Sequence, residues 1–67
     1  MDFGKTLRKL QEQRGVKAVD LAQRLGVSKQ MVSYTASKKD VKLSTLLAYC
    51  DALGVSYQDF MREALRE

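Results

Sequence analysis

The sequence predicts an all-α fold, a compact five-helix bundle that forms one domain over residues 1–67. Apolar residues recur at spacings of three and four along five segments, as in helices that bury one face. None of these segments has the pattern of a strand, and the chain contains no proline. A chain of this length builds a modest core, so we expect folding alone to be marginal and dimerisation to stabilise it.

The first helix is defined by its two ends. Asp2 can cap its beginning, and Gly15 ends it. Phe3, Leu7 and Leu10 lie on one side of this helix. Their spacing predicts that this side faces the core.

A tight turn joins the second and third helices. The second helix is entered at residues 16–17 and runs to Leu25, and the third covers about residues 29–36. Gly26 permits the left-handed backbone conformation that the turn requires, and Ser28 can cap the third helix. Two short helices joined in this way form a helix-turn-helix motif.

The motif has a buried side and an exposed side. Leu21, Ala22 and Leu25 form an apolar face of the second helix, and the small Ala22 lets the third helix approach closely. Val27 and Val32 are expected to hold the turn and the third helix against the core. The polar residues left facing outward are Lys29, Gln30, Ser33 and Tyr34. Such a helix suits the DNA major groove, which accepts one helix carrying hydrogen-bonding side chains.

A loop over residues 37–42 precedes two further helices. The fourth helix covers residues 43–53, is the most apolar of the five, and is closed by Gly54. Ser56 can cap the fifth helix. The apolar residues of this last helix are Tyr57, Phe60, Met61, Ala64 and Leu65.

The composition argues against catalysis. The chain has no His and one Cys, so it lacks the ligands for a zinc site and the base for a nucleophilic Ser or Cys. Cys50 lies in an apolar run and is expected in the core, while Asp51 and Asp59 lie on a polar face. We therefore expect no enzyme activity, metal, cofactor or small-molecule ligand. No apolar run reaches the roughly 20 residues that span a bilayer, and no secretory segment follows Met1, so we expect a cytoplasmic protein.

Basic residues are concentrated in one part of the chain. Residues 1–42 contain ten Lys or Arg and four Asp or Glu, whereas residues 43–67 contain two and four. The two parts therefore carry +6 and −2, which gives the net charge of +4. We expect a phosphate-facing surface formed by Lys17, Arg24, Lys29, Lys38, Lys39 and Lys42.

Two blocks of sequence carry a family resemblance. Residues 21–28 are Leu-Ala-Gln-Arg-Leu-Gly-Val-Ser, followed by Val32 and Ser33. Residues 45–47 are Thr-Leu-Leu, and residues 52–56 are Ala-Leu-Gly-Val-Ser. In these blocks the chain resembles the Cro and lambdoid-repressor family of helix-turn-helix proteins, also called the xenobiotic response element family. The resemblance extends over nearly the whole chain and implies a lambda-repressor-like, five-helix DNA-binding domain.

Four positions depart from this family. Its members often carry Gln where Ala18 stands, so a side chain that supports a phosphate contact is expected to be missing here. They often carry Glu, Gly and Pro where Ala36, Lys38 and Val41 stand. The chain therefore leaves the third helix differently. Either Lys38 lies in a less strained turn, which we favour, or the helix continues through Ser37 and Lys38.

The resemblance implies that Lys29, Gln30 and Tyr34 contact bases. Lys29 can donate to guanine O6 and N7, and Gln30 can bond adenine N6 and N7. Tyr34 can offer its hydroxyl or pack on a thymine methyl group; the alternative is an aromatic residue that is merely exposed. Met31 lies between the two sides of the helix and is expected to be partly buried.

Phosphate contacts are expected from groups that flank the third helix. Such contacts set register and orientation, and they carry no sequence preference. The N-terminus of the second helix, at Lys17 and Ala18, offers free N–H groups and a positive dipole. The side-chain candidates are Gln23, Ser28, Ser33, Lys38, Lys39 and Lys42.

The last helix carries more apolar residues than one helix of a small bundle buries, since Phe60 and one side of Met61 would satisfy the core. The surplus, Tyr57, Met61 and Leu65, is expected to form a homodimer interface. A homodimer would set two third helices about 34 to 36 Å apart on a palindromic operator. The alternative is that the surplus packs on the first helix.

These features favour a sequence-specific, double-stranded DNA-binding transcriptional regulator, most simply a small dimeric repressor. A Cro-type repressor of a phage or mobile element, a restriction-modification controller protein and an antitoxin-like autoregulator all fit. Two alternatives belong to other classes. One is a protein-interaction module that keeps this fold without binding DNA, and the other is the DNA-binding fragment of a longer chain cut after Glu67.

Overall fold

The computed structural model describes residues 1–66, so Glu67 lies outside the described residues. Within them the chain forms helices and no strand, which confirms the predicted all-α, five-helix fold. The helices are α1 Phe3–Arg14, α2 Ala18–Leu25, α3 Lys29–Ala36, α4 Leu43–Leu53 and α5 Tyr57–Ala64.

The helix ends confirm the predicted capping residues. The side chains of Asp2, Ser28 and Ser56 cap α1, α3 and α5, each accepting a backbone N–H from three residues further on at 3.0 or 3.1 Å. A backbone N–H left without a partner at a helix start costs stability, and such a cap contributes about 1 kcal/mol. The glycines that end α1, α2 and α4 with left-handed backbone are Gly15, Gly26 and Gly54.

The core is centred on Phe3 at the start of α1. This helix packs against α3, α4 and α5, while α2 packs against α3 and α4. The ring of Phe3 is fully buried, 5.6 Å from the ring of Tyr49 edge-on and 5.7 Å from that of Phe60 in a stacked arrangement. Aromatic pairs at these separations add about 0.5 to 1.5 kcal/mol beyond the burial of their area. Cys50 is buried among these residues, as predicted.

The start of α1 also contacts the segment that follows α3. The N–H of Phe3 donates to the carbonyl of Lys39 at 2.8 Å, and the N–H of Gly4 donates to that of Lys38 at 3.0 Å. A Cβ at Gly4 would overlap the carbonyl oxygen of Ala36 and lie 2.7 Å from its carbon. Glycine is therefore the residue that allows this approach. The two hydrogen bonds fix the loop after α3 against α1.

One apolar residue differs from its predicted environment, and another differs from its predicted place in a helix. Val32 is buried as predicted, but Val27 is 40% exposed and does not hold the turn in the core. Val27 lines an open groove together with Met31 and residues of α4, so one side of it remains in solvent. The turn is held by its backbone instead, since the N–H of Val27 donates to the carbonyl of Ala22 at 3.0 Å. Leu65, expected within the last helix, lies one residue beyond α5.

Candidate nucleic-acid interface

The helix-turn-helix is built from α2, a short turn and α3. Gly26 has a φ of 69°, a left-handed value that lets the chain reverse direction between the helices. Leu21 and Ala22 of α2 and Val32 of α3 are buried in the same core cluster, so the two helices share one packed side. The small side chain of Ala22 fits the close approach predicted for α3.

The opposite side of α3 faces solvent and is mainly polar. We call it the recognition face, and it consists of Lys29, Gln30, Ser33 and Tyr34, all exposed. The residues of α3 turned to the core are Val32, Thr35 and Ala36. Within residues 1–66 no hydrogen bond or ion pair occupies the side chains of Lys29, Gln30 or Ser33. These three are therefore available to a ligand, and Met31 beside them is about half exposed.

The ring of Tyr34 has a cation as its neighbour. Tyr34 is 60% exposed, and the ammonium of Lys38 lies 4.6 Å from its ring centroid. The hydroxyl of Ser37 donates to the carbonyl of Tyr34 at 2.5 Å. Tyr34 therefore contacts two of the residues that follow α3, Ser37 through its carbonyl and Lys38 through its ring.

The exit from α3 follows the first of the two predicted alternatives. The helix ends at Ala36, and Ser37 follows with a φ of −82°, a right-handed value. The N–H of Lys38 donates to the carbonyl of Thr35 at 3.1 Å, which closes a tight turn. None of the described residues other than glycine has a positive φ, so this turn requires no glycine at Lys38.

The predicted phosphate-binding groups lie on α2, on α3 and in the segments before and after these two helices. All the side-chain candidates are exposed, namely Lys17, Gln23, Ser28, Ser33, Lys38, Lys39 and Lys42, and Ala18 is half-buried. At the start of α2 the carboxylate of Asp20 accepts the N–H of Lys17 at 2.9 Å. The carboxylate of Asp20 therefore places a negative charge beside the predicted anion site at Ala18. This charge partly cancels the positive potential that the helix dipole produces there.

Arg24, expected among the phosphate-facing cations, has a hydrogen-bond partner within the protein. Its Nη1 donates to the carbonyl of Ala52 at 2.6 Å, in the last turn of α4. A carbonyl in the last turn has no partner within its own helix, and the negative end of the helix dipole favours a cation there. Arg24 therefore joins α2 to α4, a role that its position in a basic segment did not indicate.

The predicted dimer residues lie on α5 and just beyond it. Phe60 and Ala64 are buried, Met61 is half-buried, and Tyr57 and Leu65 are exposed. Leu65 is 81% exposed, the largest value among the large apolar residues that the structure exposes. The structure also shows an exposed apolar pair that the sequence does not predict. Leu43, at 62% exposure, and Leu47 lie one helical turn apart on α4.

Little else in the described chain has the chemistry of a reactive site. Burial raises the pKa of the Cys50 thiol, which disfavours the thiolate that a nucleophile or metal ligand requires. Residues 1–66 bring together no cluster of His, Cys, Asp and Glu that would hold a metal ion. None of their helices is long and apolar enough to cross a membrane.

Two short helices joined by a glycine turn, with a packed side and an exposed polar side, define the helix-turn-helix class of domain. The comparison with known families agrees, since the helix-turn-helix domain family matches residues 2–65. The chain belongs to that family, and the family indicates a DNA-binding regulator. Comparisons with curated proteins and with solved structures gave no significant match.

Proposed function

We propose that this protein is a sequence-specific, double-stranded DNA-binding transcriptional regulator that acts as one domain over residues 1–67. In the finer form of the proposal it is a small dimeric repressor of the Cro or controller-protein type. The observation that carries the proposal is the recognition face, where the side chains of Lys29, Gln30 and Ser33 have no hydrogen bond or ion pair within residues 1–66. The helix that carries this face is capped by Ser28 and packed against the core on its other side. A face of this kind offers the major groove the donors and acceptors that base edges require.

Base contacts are assigned to three residues of the recognition face. Lys29 and Gln30 lie in the first turn of α3, and Tyr34 lies one turn later. Gln30 has both a donor and an acceptor in one amide, so it can bond adenine N6 and N7 together, and Lys29 donates to guanine O6 or N7. Tyr34 contributes its hydroxyl or packs its ring on a thymine methyl group.

Phosphate contacts are assigned to groups on α2, on α3 and in the segments beside these helices. They are the backbone N–H of Ala18 and the side chains of Lys17, Gln23, Ser28, Ser33, Lys38, Lys39 and Lys42. Among residues 1–66 the two ion pairs are formed by Arg62 and Arg66, near the end of the chain. The lysines of this group form no ion pair within those residues. An unpaired lysine releases its counterions and those of the phosphate when it binds DNA.

The proposed dimer uses Tyr57, Met61 and Leu65. Tyr57 and Leu65 are exposed and Met61 is half-buried, and a domain of this size has a modest core, so burial of this apolar surface against a second copy would stabilise it. In a twofold dimer the same patch meets its copy, and two recognition faces are presented to two half-sites. Leu43 and Leu47 of α4 form a second exposed apolar patch that could serve as the interface instead.

The test of DNA binding begins with selection of bound sequences from a random pool of double-stranded DNA. The affinity for the selected operator should fall with salt, with a log–log slope of about −0.9 per phosphate contact. Gln30→Ala should cost about 1 to 3 kcal/mol on that operator and relax one base position in each half-site. Lys39→Ala is the matched control, since it should weaken all operator variants alike.

Two results would contradict this proposal. A wild type that enriches no sequence and whose affinity ignores salt would favour the protein-interaction module. A Gln30→Ala variant that ranks operator variants as the wild type does would show that α3 is not the helix that selects the bases.

The test of the dimer compares two charged substitutions by analytical ultracentrifugation and circular dichroism. Leu65→Glu should keep the helical signal, because the side chain is exposed in one copy, and should shift a dimeric wild type to monomer. Leu47→Glu, the matched control on α4, should leave the dimer intact. A wild type that stays monomeric on its operator refutes the dimer, and a monomer produced by Leu47→Glu alone assigns the interface to α4 instead.

A further inference from the structure

The contact between Lys38 and Tyr34 joins two residues with different proposed roles. Tyr34 is assigned to bases and Lys38 to phosphate, yet the ammonium lies 4.6 Å from the ring centroid. A cation within about 6 Å of an aromatic ring is attracted by the negative charge of its face. Both residues belong to one chain, so the contact can be measured in the free protein.

The backbone of Lys38 is fixed on both sides of its peptide. Its N–H donates to the carbonyl of Thr35 at 3.1 Å, and its carbonyl accepts the N–H of Gly4 at 3.0 Å. Tyr34 is also fixed, because its carbonyl accepts the hydroxyl of Ser37 at 2.5 Å. The side chains of Tyr34 and Lys38 therefore start from constrained positions, and their contact restricts the ring further.

We infer that Lys38 is a positioning residue that sets the orientation of the Tyr34 ring and thereby sharpens the choice of base at the position that Tyr34 contacts. The inference rests on the proposed function and assigns Lys38 a part in specificity besides its phosphate contact. A ring with a cation over one face can offer DNA only its other face and its edge. Fewer ring orientations then compete when the protein meets a base pair, so unsuitable bases are rejected more strongly.

Lys39 is a close internal control for Lys38. Both residues are exposed lysines of the same loop, and the carbonyl of each accepts a backbone N–H from the start of α1. The difference that matters is the ring contact, which the structure gives to Lys38. Replacing either lysine with methionine removes one positive charge and retains much of the aliphatic chain, so a difference between the two variants reports on Tyr34.

The experiment measures binding of wild type, Lys38→Met, Lys39→Met and Lys38→Arg to the selected operator and to variants with each base at every half-site position. Both methionine variants should reduce the salt slope by about 0.9. Lys38→Met should also lower the discrimination between best and worst base at the Tyr34 position by about two- to fivefold, the effect of a cation–π contact at an exposed site. Lys38→Arg should restore that discrimination, because a guanidinium also lies on aromatic faces.

A measurement on the free protein tests the ring contact separately from DNA. Protons of the Lys38 side chain near its ammonium should resonate upfield of those of Lys39, and Tyr34→Leu should remove the difference. A wild type that selects no DNA sequence overturns the proposed function and, with it, this role. A wild type that selects one, with Lys38→Met and Lys39→Met losing affinity uniformly across all bases, overturns the role of Lys38 alone, as does the absence of the upfield shift.

Discussion

Replacing Gly4 with alanine should destabilise the protein, although the usual effect of this change within a helix is the opposite. Alanine is favoured over glycine in a helix by about 0.5 to 1 kcal/mol. Here the added Cβ would overlap the carbonyl oxygen of Ala36 and lie 3.2 Å from that of Lys38. Relieving the overlap requires α1 to move away from the end of α3, and overpacking of this kind costs about 1 to 3 kcal/mol.

The same movement would lengthen the two hydrogen bonds that Phe3 and Gly4 donate to the loop. They measure 2.8 and 3.0 Å, and each contributes about 1 kcal/mol. After the gain in helix propensity is subtracted, we expect a net loss of about 2 to 4 kcal/mol. The total stability of a domain of this size is about 3 to 5 kcal/mol, so much of the Gly4→Ala protein should be unfolded.

Urea unfolding followed by circular dichroism at 222 nm measures this loss. Lys5→Ala is the control, because Lys5 is the next residue of α1 and its side chain is exposed. That variant should unfold within about 0.5 kcal/mol of the wild type. A Gly4→Ala protein as stable as the wild type, or more stable, would refute the argument and show that α1 does not lie so close to the end of α3.

Three further predictions concern the side chains of Arg24 and Cys50. Arg24→Met should lower the free energy of unfolding by about 1 kcal/mol, because the hydrogen bond to Ala52 is lost. It should leave the salt slope of DNA binding unchanged. A salt slope reduced as much as in Lys39→Met would show that Arg24 contacts phosphate. Cys50 is 3% exposed, and burial raises the pKa of its thiol. Alkylation by iodoacetamide at pH 8 should therefore proceed only as urea unfolds the helices. Rapid alkylation of the folded protein would contradict the burial of Cys50. Because the unfolded chain loses this proton first, Cys50 should lower stability as pH rises above about 8.5, and Cys50→Ala should remove that part of the pH dependence.

Helix bounds were accessible from the sequence because local residues determine them. Asp2, Ser28 and Ser56 cap their helices with their own side chains, and the glycine that ends α1 needs only its own backbone conformation. These signals require no knowledge of what each helix packs against. The environment of Val27 was predicted wrongly, since whether a turn residue is covered depends on the distance between α3 and α4.

The contacts that shape the candidate interface lie further apart along the chain. The hydrogen bond of Arg24 spans 28 residues to Ala52, and no spacing rule relates the two positions. The sequence does not indicate the role of Gly4 either, because a glycine within a helical pattern only lowers the expected stability of that helix. Its role becomes clear once the carbonyl of Ala36 is seen to lie against it. The exposed polar side of α3, in contrast, follows from helical periodicity within eight residues.

The residue at position 38 shows how these local and distant effects combine. The family that the chain resembles often has glycine there, which suits a left-handed exit from the third helix. In this protein Ser37 is right-handed with a φ of −82° and Lys38 has no positive φ, so a residue with a side chain fits at position 38. The carbonyl of Lys38 is then satisfied by Gly4, whose lack of a Cβ lets α1 come close enough to donate to it at 3.0 Å. With its backbone held in this way, Lys38 follows Tyr34 by four residues, and its ammonium reaches the ring. The contact between Lys38 and Tyr34 therefore depends on Gly4, and Gly4→Ala should weaken this contact even in the molecules that remain folded.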